Sequence, residues 1–265
     1  MNNTCKLKQY ITDFWKYRDL LKLLVMKTVK LKYRRSILGY VWSVLNPLMV
    51  MIVMTIVFSS IFGRNIENFP VYLFCGQLLF NFMSSSTHQA TQSIINNAAL
   101  LKKTYVPKYI FTVAKVTSCA VDMIFSFGAL LIIMIVTGAD FSWYNLLFPF
   151  VIIQLYLFCI GLGLFLAQAS VFFRDVEFIY NAVTTAWMYL TPIFYPIESL
   201  SEPIRYLIQK CNPMYFYVTQ FRDLVYAGQL PSLYNVMGGC ICAVLMMVIG
   251  VWCFMKTEDN FIMHI

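Results

Sequence analysis

Apolar residues in this chain do not alternate with polar ones; they come in long unbroken runs separated by short polar stretches. The first, Ile37 to Phe62, holds 26 residues, about 39 Å as a helix against a bilayer hydrocarbon core of roughly 30 Å. Val71 to Gln89, Tyr109 to Thr137, Leu146 to Phe173, Phe178 to Phe194 and Asn235 to Met255 follow. Each predicts a membrane-crossing helix, because a spanning segment must satisfy its own backbone hydrogen bonds. The fifth run has only 17 residues, at the short end for crossing. Pro47 removes a backbone donor inside the first run and predicts a kink or a helix start beside it. Gly161 and Gly163 in the fourth allow close helix contact.

The breaks between runs are equally informative. Gly63 to Pro70 and Gly138 to Asn145 read as short turns on one side of the membrane; residues 96–109 and FFRDVE (172–177) read as turns on the other. A short helix is predicted to end before Pro107, since the ring pushes Val106 out of helical geometry. From Pro192 to Pro231 the chain is too apolar for a solvated loop and too often broken by proline and charge for two ordinary spans. Two short amphipathic helices, IRYLIQKC and MYFYVTQFRDLVYAG, dipping into the outer leaflet and returning, satisfy both facts.

Charge orients this map. Residues 1–35 carry ten Lys and Arg against Asp13 and Asp19, which accounts for the whole formal +8 of the chain. Positive charge stays on the cytoplasmic side, so the amino terminus is expected inside. Counting along the map puts fifteen Lys and Arg inside and four outside, with Lys115 in the membrane. Phe14, Trp15, Leu20, Leu21, Leu24 and Val25 recur among these charges at roughly helical spacing, which predicts an amphipathic helix in the inner interface rather than a solvated tail. Hydrophobic residues make up 60% of the chain and charged ones 12%, too little polar surface for a soluble globule. Anionic lipid headgroups are a simpler partner for the basic segment than nucleic acid, which is not expected to bind.

The expected fold is therefore all-α and integral to the membrane: six transmembrane helices with both termini inside, an amino-terminal interfacial helix, and a re-entrant helix pair before the last span. Residues 1–35 form the basic interfacial segment and 36–265 the transmembrane domain. No removable signal peptide is expected ahead of Ile37. The eight cysteines are scattered through apolar runs without zinc or disulfide spacing and read as packing residues.

Polar residues inside the predicted spans are the candidate chemistry. Lys115 and Asp122 share a face of the third span about 10 Å apart, too far for a direct bridge. Lys115 can snorkel toward the inner surface; Asp122 needs a partner on another helix. The last third of the second span, SSSTHQATQ, either lines a wet passage or hydrogen-bonds to neighbouring helices. Arg174, Asp175 and Glu177 are expected to pair locally or cap the fifth span. Arg222 and Asp223 stand as structural charges in the second re-entrant helix. No GxxxxGK[ST], HExxH or GxSxG string is present, and no metal site or resident cofactor is expected, so a membrane enzyme is the weaker class of reading.

The strings YRRSILGYVWSVLNPL, PVYLFCGQLLFNFMSSS, NNAALLKKTYVPK, VFFRDV, TPIFYPIE and NPMYFYVTQFRDLVYAG resemble, in order and spacing, the permeases of type 2 ABC exporters of O-antigen, capsular polysaccharide or teichoic acid. The resemblance implies a half-transporter of the bacterial cytoplasmic (inner) membrane, working as a homodimer with two copies of a separate ATPase that holds ATP and Mg²⁺. It implies an ATPase-coupling helix at Leu100, Lys102, Lys103, Tyr105, Pro107 and Lys108. It makes the basic helix, with Lys27, Lys30, Lys32, Arg34 and Arg35, the gate that draws in the pyrophosphate of a lipid-linked glycan. The glycan would slide on aromatic faces, with Phe80, Phe82, Tyr189, Phe194, Tyr195, Tyr215 and Tyr217 the candidates. A drug- or lipid-exporting permease of the same superfamily, and an ATP-independent flippase, are the competing readings.

Overall fold

The structure, a computed structural model, describes residues 12–33, 39, 41–62, 66–103 and 106–261. Among them it forms α1 (Arg18–Tyr33), α2 (Val41–Phe62), α3 (Phe69–Thr91), α4 (Ala98–Leu101), α5 (Tyr109–Thr137), α6 (Phe148–Phe172), α7 (Val176–Leu190), α8 (Glu202–Cys211), α9 (Pro213–Val225) and α10 (Leu233–Thr257), with no strand. Short 3-10 turns precede α4 and α6 and follow α10. The segments Val41–Ser59, Tyr109–Thr137, Trp143–Phe172 and Leu233–Asn260 are helical, long and apolar enough to cross a membrane. These agree with four of the predicted runs to within a few residues.

The other two expected spans differ for physical reasons. α3 has 23 residues, enough for a crossing, but the polar run from Ser84 onward lowers its hydropathy. α7 has only 15 residues, about 22 Å, and stops at Leu190 rather than Phe194. Pro192 drives this: the residue before a proline is pushed to extended geometry, and Thr191 has ψ 130°. The predicted short amphipathic helices exist as α8 and α9, 10 and 13 residues long. Asn212 joins them to α7. Its side chain accepts from Met214 N at 3.0 Å and from Trp187 Nε1 at 2.7 Å, and donates to Thr191 Oγ1 at 3.1 Å.

α3 is the hub, packed against α2, α5, α6, α7 and α9. α6 and α10 cross most closely, where Gly161 meets Gly250. A Cβ on Gly250 would stand 2.0 Å from the Gly161 carbonyl oxygen, so only glycine fits that crossing. α1 lies along α5, with Leu20, Leu21 and Leu24 packed on the core while Phe14 and Trp15 stay exposed. α2 buries almost nothing beyond Met51; Val50, Val53, Ile56 and Val57 lie open along it. Cys75 is buried and Cys211 exposed, and both are free thiols.

Candidate functional site

A cavity of about 520 Å³ opens between α1, α2, α3 and α5. Gln77, Asn81, Ser85 and Gln89, spaced four residues apart, place one polar stripe of α3 along it. Trp42, Ser43 and Asn46 come from α2, and Asp122 and Ser126 from α5. Phe74 and Phe82 add ring surface. At one wall Lys32 Nζ reaches Asp122 Oδ2 at 2.7 Å, tying the end of α1 to the middle of α5. Lys32 is thus the partner that Asp122 requires. It lies 90 positions away, beyond the reach of any local pattern.

The opposite side of the same α3 segment does something else. Tyr180 donates to Thr87 Oγ1 at 2.7 Å, Ser170 to the Thr91 carbonyl at 2.5 Å, and Ser93 bonds Thr112 at 2.8 Å. The His88 ring stands 5.0 Å from that of Tyr180. The polar third of this helix therefore has two faces, one bonded to neighbouring helices and the other lining the cavity.

Near the amino-terminal end of α3, Arg222 is buried and reaches α3 and the turn after α7. Its guanidinium donates to the carbonyls of Pro192 at 2.6 Å, Ile193 at 2.9 Å and Tyr72 at 3.2 Å. Its Cζ lies 3.5 Å from the Tyr72 ring centroid. A Cβ on Gly76 would meet Nη2 at 2.9 Å, so α3 needs glycine there for the guanidinium to pass. Asp223 beside it is half-buried and accepts from Gln229.

Past the carboxyl-terminal end of α3, α4 and the described residues 102, 103 and 106–108 lie in the bend between α3 and α5. Leu100, Lys102 and Lys103 are exposed, Leu101 is buried, and Pro107 is half-buried. Tyr105 lies outside the described residues, as do Arg34 and Arg35. Lys108 turns inward instead of presenting its charge: it donates to the Glu258 carbonyl and lies 5.3 Å over the Phe261 ring. Burial pushes its pKa down, opposed by Glu258 and Asp259. Phe261 is fully enclosed between Phe254 and Phe172, at centroid distances of 5.2 and 5.9 Å. The carboxyl-terminal segment is thus strapped beneath the bend, a relation absent from the sequence-based picture.

The remaining candidates disperse. Phe82 lines the cavity, whereas Phe80 is buried outside its lining. Phe194 is buried and stacked on Phe58 at 5.1 Å. Tyr189 is exposed, its carbonyl accepting from the half-buried Tyr195 at 2.8 Å, and Tyr215 is half-buried. Tyr217 is fully buried and its hydroxyl donates to the Gly239 carbonyl at 2.9 Å. Lys27 and Lys30 are exposed on α1, and Lys115 is half-buried on α5. Among the described residues, Arg174 and Asp175 are exposed and neither pair nor cap: Asp175 occupies the N-cap position without a side-chain bond. Glu177 accepts instead from Gln92 at 2.5 Å, joining α7 to α3. Reading by residue type missed Trp42, Ser43, Asn46, Gln77 and Asn81; the four-residue spacing of amides and hydroxyls from Gln77 to Gln89 was the available signal.

Residues 19–226 match the protein-family model described as ABC-2 type transporter. The O-antigen export system permease protein RfbA of Myxococcus xanthus is 29% identical over 95% of this chain and 97% of its own length. A Klebsiella pneumoniae protein of the same description is 27% identical over 92% and 93%. The capsule polysaccharide export inner-membrane protein CtrC of Neisseria meningitidis serogroup A is 21% identical over 86% of each chain.

Proposed function

Because the chain belongs to the ABC-2 type transporter family, we propose that it is the membrane permease of an ATP-driven exporter of lipid-linked polysaccharide. The cargo is of the O-antigen or capsule kind, with teichoic-acid-like polymers in the same chemical range, and the membrane is the bacterial cytoplasmic one. The observation that carries this is end-to-end similarity to polysaccharide export permeases, 95% of the chain in one case and 92% in another. ATP and Mg²⁺ belong to a separate ATPase subunit, two copies of which would sit beneath two copies of this chain. The uncovered apolar face of α2 supports a second copy as neighbour.

The topology that fits is six spans with both termini inside, α3 and α7 completing the four apolar segments. The fifteen-to-four bias of Lys and Arg toward the inner side supports it. At 10 and 13 residues, α8 and α9 are too short to cross and suit a re-entrant pair at the outer face. Residues 1–35 act as the interfacial segment, with Lys27 and Lys30 exposed toward anionic headgroups. Residues 36–265 act as the permease body.

Coupling assigns Lys102 and Lys103 to the ATPase surface and Lys108 to holding their platform. Replacing both exposed lysines by Glu is expected to weaken co-purification with the ATPase and lower glycan export together, while membrane insertion is unchanged. Unaltered assembly would remove residues 100–108 from the coupling role. Surface glycan that persists in cells lacking the chain would overturn the exporter reading as a whole.

A further inference from the structure

The stripe on α3 is a ladder. Gln77, Asn81, Ser85 and Gln89 rise about 6 Å per step, so together they cover about 18 Å of the roughly 30 Å apolar core. All four open on one cavity. Polar side chains at membrane depth are costly unless something hydrogen-bonds them. Among the described residues, Gln77 Oε1 is shut from solvent with no partner, and Gln89 Nε2 finds only the weak acceptor Cys119 Sγ at 3.0 Å. The lining thus offers more amide and hydroxyl groups than the protein itself uses.

The composition of the lining selects among ligands. Among the described residues its two charges, Lys32 and Asp122, bond each other at 2.7 Å, so those residues leave no net charge in the slot for an ion or a free phosphate. An acyl chain would bury the amides without partners. Uncharged donors and acceptors beside the exposed ring of Trp42 match a pyranose, which presents hydroxyls at its rim and apolar faces above and below. The volume of about 520 Å³ lies within the usual range of small-ligand sites, about 300–1,000 Å³.

We propose that this cavity, inside a single copy of the chain, is a saccharide-binding slot whose α3 ladder holds successive neutral sugar units of the cargo, with the exposed Trp42 against their ring faces. The inference rests on the exporter reading and adds a site to it. Rungs of similar chemistry at regular spacing let a sugar chain exchange one set of hydrogen bonds for the next without a deep trap. Each rung then contributes modestly, about a fivefold change in retention of the bound chain when removed.

The test uses the full chain with its ATPase in cells, with a photo-reactive side chain placed at Asn81 or Ser85 and, as a control, at Val244 on the exposed side of α10. Irradiation is expected to join the glycan to positions 81 and 85 and not to 244. In parallel, the double variant Q77L/N81L should lower export at least tenfold while the complex with the ATPase purifies normally, and Q77N/N81Q, which restores amides, should recover most of it. Absence of glycan at 81 and 85, or wild-type export by Q77L/N81L, overturns the slot and leaves the exporter reading standing. Export that does not depend on the chain at all overturns both.

Discussion

Arg222 offers the sharpest test of how α3, α9 and the turn after α7 are held together. It is 8% exposed, and no carboxylate among the described residues pairs with it; three carbonyls and the Tyr72 ring take that place. Arg222→Met keeps length and apolar stem but removes every one of these contacts. Hydrogen bonds from a charged donor contribute about 1.5–3 kcal/mol each, and a desolvated cation over an aromatic face about 2 kcal/mol. Against this stands the cost of burying a guanidinium, several kcal/mol, which the variant no longer bears. What remains is dominated by the stranded carbonyls of Pro192 and Ile193, about 1–3 kcal/mol apiece. The net loss is about 3 kcal/mol. In thermal unfolding of the detergent-purified protein it should appear as a fall of about 6–12 °C, with faster proteolysis of the turn at 191–201. Arg222→Lys should recover only part, since an ammonium lacks the planar fork that reaches adjacent carbonyls. A melting temperature within about 2 °C of wild type, together with unchanged proteolysis, would refute the account of Arg222 as the staple between α3, α9 and the turn after α7.

Three further outcomes are expected. Gly250→Ala puts a methyl group 2.0 Å from the Gly161 carbonyl oxygen and must push α10 off α6, costing about 2 kcal/mol; an undiminished thermal midpoint would deny the close crossing. Lys32→Asp and Asp122→Lys should each loosen α1, seen as faster proteolysis of residues 18–33, and the two together should restore protection. With Lys32 about half exposed, a double-mutant cycle should give no more than about 1 kcal/mol, and failure of the exchanged pair to rescue would reject the contact. Lys108 titrates below the ordinary lysine value of 10.5, so the unfolded chain binds more protons through that window and stability should rise with pH as Lys108 loses its proton. Lys108→Met should flatten that rise in an unfolding series; an identical slope in the variant would contradict the buried placement.

Helix existence was legible wherever hydropathy alone decides it. The third run, read as Tyr109 to about Thr137, matches the helix Tyr109–Thr137 because Pro107 stops one side and Gly138, at φ 67°, the other. The end of α7 was misjudged because apolar Ile193 and Phe194 continue the hydrophobic run past Thr191, where backbone geometry had already broken. Site chemistry was legible in part. The polar character of α3 is visible in composition, but its division between Tyr180 on one side and the cavity on the other depends on which helices flank it, which is tertiary information. The same holds for the partner of Asp122 and for Lys108. A lysine in a basic loop looks solvent-facing by type, and only the return of the chain's last helix beneath it shows otherwise. Aromatic candidates suffered most: Tyr217 and Tyr189 are the same residue type, yet one is sealed in the core and the other lies open.

Phe261 carries a practical consequence. Its ring is wedged between Phe172 and Phe254 under Lys108, so any affinity handle or fluorescent domain appended downstream lies within a few residues of a side chain already committed to the underside of the bend. A short, stiff junction would tug on that wedge with every tumbling motion of the appended domain. It would mimic a coupling defect in a chain whose residues are all intact.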